Sequence, residues 1–359
     1  MFIHEAINEA VSCIHGNEQT RKSIAAALKP LARKSLGLHE DQLVYPVSPF
    51  LLTGKIGGVD SGFVEKSIHS IDLVLIRAAG VIFEYADGKV VDSAYYPGYY
   101  HFPLPHLSNH ALDFDEFSCS KSLLRLREEI NAAKQLLTQF SPAFLFLDGS
   151  IIPQYLDKPR KDSKVNELYH GLLDHFQSLY ALAEQCGSTL VATVEDSRGS
   201  RFRQILQEEV LPKHPVLDPA RLENVYDSGL LEHLLRRGER SLAFPYSKSI
   251  DEHPILMDFD EKWSKNIYAF YLKPSDYDRP LRVEFIRRGP SLSRNVDQIA
   301  SVVHSLSSLH REYAYPSVLI EADLRARLKP EEINIVYNKI FDKLGKSVKL
   351  RMRRENRPF

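Results

Sequence analysis

Cysteine is scarce in this chain, and its scarcity removes two common ways of holding a fold together. Cys13, Cys119 and Cys186 are its only three cysteines in 359 residues. They stand far apart with no C-x-x-C pair, so neither a disulfide framework nor a zinc site is indicated, and a reducing cytoplasm fits. Long apolar runs are missing as well; none approaches the ~18 residues that a membrane-spanning helix requires. The amino terminus carries His4, Glu5 and Glu9 where an export signal would place a basic and then an apolar stretch. The expectation is a cytoplasmic protein, neither exported nor membrane-spanning. Net charge is nearly absent: 46 Lys and Arg against 47 Asp and Glu leave −1, so no global field announces a polyanionic partner. A G-x-x-x-x-G-K-[ST] loop is also missing, which excludes a P-loop ATPase.

What is present is the mixture of a chain that folds by itself, with 43% hydrophobic and 26% charged residues. Basic residues cluster only locally. Arg236, Arg237 and Arg240 form one group, Arg282, Arg287 and Arg288 another, and Arg351, Arg353, Arg354 and Arg357 a terminal run. Such clusters are more often solvated faces or tails than binding grooves. Apolar spacing predicts a helical preface over residues 5–36, broken at Gly16 and Pro30. Strands follow over 55–62, 72–85 and 89–96, the last two joined by an Asp87-Gly88 turn. The segment YYPGYYHFPLP, 95–105, reads as a loop rich in aromatics that could stack on bases or fill an interface. Then come a helix over 121–140, a strand over 143–147, a helix over 165–186 and a strand over 189–194. From 196 to 260 repeated prolines separate short helices, read as an insertion. Strands at 266–272 and 281–286 precede helices at 295–311, 317–328 and 330–344. That order matches an α/β fold of RNase H-like type, a central mixed sheet flanked by helices. The expected organisation is a helical segment 1–50, a main domain 51–345 with its insertion at about 200–262, and a basic tail 346–359.

Two acids stand out within this order. Asp60, in GGVDSGF, and Asp148, in FLFLDGS, are each expected at the end of an apolar strand, where open α/β sheets place ligands. Each is also an ordinary turn residue when taken alone. Together they would repel unless a proton or cation intervened, and Mg²⁺ or Mn²⁺ prefers oxygen donors. On helix 121–140, Glu129 falls among Leu126, Ala133 and Leu136 at the edge of the buried stripe, while Glu128 and Ala132 lie on the solvent side. Glu129 could instead pair with Arg125 at i−4. Asp323, in SVLIEADLRARL, lies beside a buried edge or pairs with Arg327. These acids suit two-metal phosphodiester hydrolysis. Ser61, Ser150 and Ser197 have no histidine placed to activate them, so a triad is not supported. In VEDSRGSRFR, Arg198 and Arg201 could hold phosphates alongside backbone N–H groups, or the segment is a helix start capped by Ser200.

These motifs resemble the NurA nuclease family. GGVDSG is similar to its first acidic strand, FLFLDGS to its D-G-S strand, and LRLREEINAAKQLL to the Arg-rich helix that supplies its Glu, matched by Glu129. YPSVLIEAD resembles its late motif, which puts Tyr315 on the family's Tyr and Asp323 where a His is usual. The resemblance spans about residues 55–330. It implies Mn²⁺-stimulated exonuclease and single-strand endonuclease activity on DNA, a homodimer, and action with a HerA-type hexameric ATPase in resecting DNA ends for double-strand break repair. Two other readings stay open. Asp60-Ser61-Gly62 fits the D-x-G loop of an actin-like or sugar-kinase-like ATPase, although no second phosphate loop is evident. The acids could also be incidental in a non-catalytic DNA-binding scaffold.

Overall fold

The computed structural model describes residues 2–68, 71–108, 111–289 and 291–344. The terminal arginine run 351–357 lies outside them. Along the chain, α1 (Phe2–Leu28) and β1 (Val44–Pro46) precede β2 (Gly54–Ile68), β3 (Ile71–Ala86), β4 (Lys89–Tyr96) and β5 (Leu104–Ser108). Next come α2 (Phe114–Phe140), β6 (Phe144–Asp148), α3 (Asn166–Gln185), β7 (Thr189–Val194), α4 (Arg201–Ile205) and α5 (Asp227–Leu234). After β8 (Glu239–Ser241), β9 (Phe244–Pro245) and α6 (Glu261–Ser264) follow β10 (Ile267–Lys273), β11 (Leu281–Ile286), α7 (Leu292–Ser307), α8 (Ser317–Ala326) and α9 (Pro330–Leu344).

The chain divides into two compact units. One comprises residues 1–51, 192–250 and 265–317; the other comprises 52–191, 251–264 and 318–359. The expected preface and most of the expected insertion thus fall in one unit. In that unit the strand order is β1-β8-β10-β11 and then the second half of β7, with β9 also on β10. Its apolar core joins Ile24 and Leu28 of α1 to Phe202, Leu230, Phe244 and Tyr271. Three features differ from expectation. Helix α1 runs straight through Gly16, which sits in open space and makes no break. Strands β1, β8 and β9 interrupt the segments expected to be helical or irregular. Arg240 and Arg282 are buried instead of solvated: Arg240 is 0% exposed, with Glu40 at 2.8 Å and Asp297 at 2.6 Å, and Arg282 meets Glu284 at 2.6 Å.

In the other unit the order is β4-β3-β2-β6 and then the first half of β7. The hairpins β2–β3 and β3–β4 are antiparallel, while β6 lies parallel to β2. Antiparallel first three strands with the fourth parallel beside the first is the RNase H-like arrangement the sequence predicts. The Asp87-Gly88 turn has both residues at positive φ, 50° and 74°, as a tight hairpin of this hand requires. Strand β2 is longer than expected: it continues through Gly62 to Ile68, so Asp60 lies within a strand rather than at its end. The aromatic loop is shorter than expected, because Leu104 and Pro105 already belong to β5, paired with β3.

Two glycines fix how α8 lies on β2. A Cβ on Gly58 would stand 2.7 Å from the carbonyl oxygen of Val318, and one on Gly62 would stand 2.8 Å from that of Ala326. Four strand residues rise about 13 Å and the eight helix residues between those carbonyls about 12 Å, so helix and strand run side by side. Alanine at Gly58 should push α8 away and cost about 1–3 kcal/mol. Gly16→Ala, in an open helical position, should stabilise by about 0.5–1 kcal/mol. Urea unfolding of the two variants checks this pair of opposite signs.

Candidate active site

Residues 58, 60 and 62 share one face of β2 because side chains alternate along a strand. Asp60 therefore lies between the two glycines, under α8, and is 6% exposed. The parallel register sets Val59 opposite Leu147, the residue before Asp148. Asp60 and Asp148 consequently follow at the same level of neighbouring strands. Asp148 closes β6 and is half-buried; Gly149 then takes φ +85°, which turns the chain away directly after the acid.

Helix α2 brings the third acid. A capping box starts it, with Asp113 accepting from the Glu116 N–H at 2.8 Å and Glu116 accepting from the Asp113 N–H at 3.2 Å. The helix thus begins seven residues earlier than the expected position 121. Glu129 is 2% exposed. The Ser61 hydroxyl donates to its Oε2 at 2.5 Å and Arg125 Nη1 donates to the same oxygen at 3.1 Å. Arg125 also donates to Ser61 Oγ at 3.0 Å. The i−4 pairing with Arg125 and a buried carboxylate, weighed as alternatives in the sequence, are both present. Arg125 and Ser61 were not expected in the site; the i, i+4 spacing of Arg125 and Glu129 was the available signal. Two expectations on this helix need correction. Ala132 is buried, and Glu128 is half-buried, 3.4 Å from Arg127 and 3.9 Å from His106.

Electrostatics link these acids. Burial pushes the Asp60 carboxyl up to about 8, and the neighbouring charges of Asp148, Glu129 and Asp323 push the same way against the Ser61 N–H. Glu129 rises to about 7, again chiefly through burial, although Arg125 and Ser61 pull it down. Asp323 sits on α8 but is exposed, not at a buried edge, and its field still reaches Asp60. Among the described residues no three His, Cys, Asp or Glu side chains stand already grouped as a metal-ligand set. The donor chemistry nevertheless suits a hard divalent cation: oxygen donors only, and crowded negative charge that a cation relieves.

Tyr315, Arg198 and Arg201 belong to the other compact unit. Tyr315 is 5% exposed and donates its hydroxyl to the Thr193 carbonyl at 2.9 Å, bracing β7 within its own unit. Arg198 is exposed, while Arg201 is largely buried, 3.9 Å from Glu208. Ser200 gives no cap to α4. Instead Asp227 accepts from the N–H groups of Phe202 and Arg203 at 3.0 and 2.9 Å, so those amides are not open to a phosphate. In the aromatic segment, Tyr95 and Tyr99 pack edge to face at 4.9 Å, and the Arg325 guanidinium covers Tyr99 at 3.9 Å.

The NurA domain matches residues 54–328, and no curated protein sequence matches. The crystal structure of the NurA nuclease from Sulfolobus solfataricus is similar at a TM-score of 0.59 and 16% identity, covering 97% of this chain and 98% of that one. A NurA structure bound to dAMP and manganese is similar at 0.46 and 10% identity, covering 98% and 97%. An endonuclease V from Streptomyces avermitilis follows at 0.35 and 12%, covering 89% and 94%.

The raised Asp60 carboxyl makes stability depend on pH with a definite sign. A carboxyl held at about 8 in the fold, against its ordinary 3.8, binds its proton more tightly folded than unfolded. Its contribution therefore favours the fold at low pH and is lost as pH rises through that window. With chelator present, the melting temperature of the wild type should fall from pH 5 to about 8 more steeply than that of Asp60→Asn. Excess Mn²⁺ at the upper end should restore it in the wild type only. Equal slopes in both proteins would remove Asp60 from the site.

Proposed function

Since the chain belongs to the NurA family, we propose that it is a divalent-metal-dependent DNA nuclease, using Mn²⁺ or Mg²⁺, with exonuclease and single-strand endonuclease activity. The observation that carries this reading is the β2–β6 register, which brings Asp60 and Asp148 level on adjacent parallel strands in a buried setting. Asp60 and Asp148 would hold the metal, with Glu129 and Asp323 as further ligands or holders of water. Bound divalent ions supply an activated water and offset the charge that builds up during phosphodiester hydrolysis. The chain's own residues prepare the place. Arg125 and Ser61 fix the Glu129 carboxylate and α8 covers Asp60; in the other unit, the exposed Arg198 is the proposed contact for a backbone phosphate. We place the enzyme in DNA end resection and double-strand break repair, as a cytoplasmic homodimer working with a HerA-type hexameric translocase. These points rest on the family resemblance alone.

The ATPase reading loses its main support, because Asp60, Ser61 and Gly62 are paired within β2 opposite Ala79, Ala78 and Arg77 and form no phosphate loop. Hydrolysis of plain single-stranded DNA with Mn²⁺, stopped by chelator, tests the proposal against both rivals. Asp60→Asn and Asp148→Asn should lose at least about 100-fold in turnover, since removal of a charge-stabilising group costs that much or more. Glu128→Gln should stay within a few-fold of the wild type. Asp323→Asn should lose turnover, whereas Asp323→His should keep more of it with Mn²⁺ than with Mg²⁺. Full activity in either Asp60 or Asp148 variant ends the assignment. For substrate contact, Arg198→Ala should lower single-strand affinity and reduce the salt slope by about 0.7, the share of one phosphate. An unchanged slope would take that residue off the backbone.

A further inference from the structure

Seven residues after Asp148 the chain presents two large apolar side chains to solvent, Tyr155 at 70% and Leu156 at 84% exposure. Their setting is rigid. Ile151, Ile152 and Pro153 are buried just before them, and Asp157, just after, is 6% exposed. The Asp157 carboxylate accepts from the Gln154 N–H at 2.7 Å and from the Ser122 hydroxyl at 2.5 Å, and its carbonyl accepts from the Cys119 thiol at 3.3 Å. The Asp157 N–H returns to the Gln154 carbonyl at 3.0 Å and the Lys158 N–H to that of Tyr155 at 3.2 Å. A short 3-10 turn, Tyr155–Asp157, is thus pinned to α2 from below while its two apolar tips face outward.

Charge indicates what those tips meet. From 158 to 164 the chain carries Lys158, Arg160, Lys161 and Lys164 against the single acid Asp162. Lys158 is engaged by Asp258 at 2.5 Å and the Pro254 carbonyl at 2.6 Å, and Lys164 by the Ala111 carbonyl at 3.0 Å. Lys161 is exposed, and Arg160 meets Asp113 at 2.7 Å in a pair that is open to solvent. An aromatic and an aliphatic tip beside a basic stretch suit a polyanion with flat apolar faces, namely nucleic-acid bases strung on phosphates. The turn is also tied through Gly149 and Ser150 to the strand that ends in Asp148.

We propose that Tyr155 and Leu156 form a base-contacting tip, in which Tyr155 stacks on and Leu156 packs against an unpaired base of the DNA strand entering the Asp60–Asp148 site. The tip positions the strand and takes no part in the chemistry. A preformed turn loses little freedom on binding, so the contact favours strands whose bases are already unstacked. This inference rests on the nuclease reading, but its test does not depend on cleavage.

The test measures binding of the full-length protein in chelator, using a fluorescently labelled single strand and a wholly abasic strand of equal length. The wild type should bind the base-bearing strand about tenfold more tightly, the scale of one stacked base. Tyr155→Ala and Leu156→Ala should shrink that preference toward unity while leaving affinity for the abasic strand and the salt slope unchanged. Tyr155→Trp should keep it within two- to threefold. Both positions are exposed, and thermal melts verify that the variants fold. A wild type without preference, or alanine variants that retain it, overturns the proposal. So does a change of oligomeric state by light scattering with the base preference intact, which would make the tip a contact between copies. Mn²⁺-dependent cleavage by the wild type, assayed separately, shows whether the nuclease reading stands when the tip does not.

Discussion

The α8 backbone can lie against β2 only because residues 58 and 62 have no side chain, and the site is organised by that contact. With carbonyl oxygens less than 3 Å from where a Cβ would be, any side chain at either position would push the helix off the strand above Asp60. The contact buries Asp60, whose carboxyl also feels the charge of Asp323 on that helix and of Asp148 on β6. Burial alone would favour a neutral acid. The charges of Asp148, Glu129 and Asp323 add to that preference for Asp60.

Arg125 and Ser61 offset part of this at Glu129. A guanidinium and a hydroxyl on one carboxylate oxygen compensate some of the desolvation, yet the carboxyl still lies at about 7. The helix edge thus serves two purposes: it packs Leu126, Ile130 and Ala133 into the core and carries a costly acid among them. Such conflict between local rule and burial is expected where function, not stability, chose the residue.

Much of this was legible in the sequence because it depends on period and on neighbours close in the chain. Strands β4, β7 and β11 announce themselves by apolar spacing, and β4, β7 and β11 keep the expected bounds. The acids were legible through their contrast with the runs that carry them. What escaped depends on distance. The second half of β2, VEKSI, has three polar residues in five, and only its pairing with β3 extends the strand past Gly62, so Asp60 looked terminal. Strands β1, β8 and β9 have three, three and two residues, too few for any period to emerge. Arg240 looks solvent-facing until Glu40, 200 positions earlier, is seen to hold it with two hydrogen bonds. The capping of α4 by Asp227 likewise spans 24 or 25 positions and displaced the local candidate, Ser200.

The fate of the arginines also bears on how a nearly neutral chain would hold DNA. Arg240 and Arg282 are committed to buried acids, Arg77 and Arg125 to acids at 2.6 and 3.1 Å, and Arg203 to backbone carbonyls. A guanidinium so engaged would have to break a paired, partly desolvated contact to meet a phosphate, at a cost that one phosphate contact scarcely repays. These five arginines are therefore poor candidates for contacts to a phosphate backbone. A contact to DNA would fall instead to exposed cations such as Arg198 or to apolar surfaces for exposed bases.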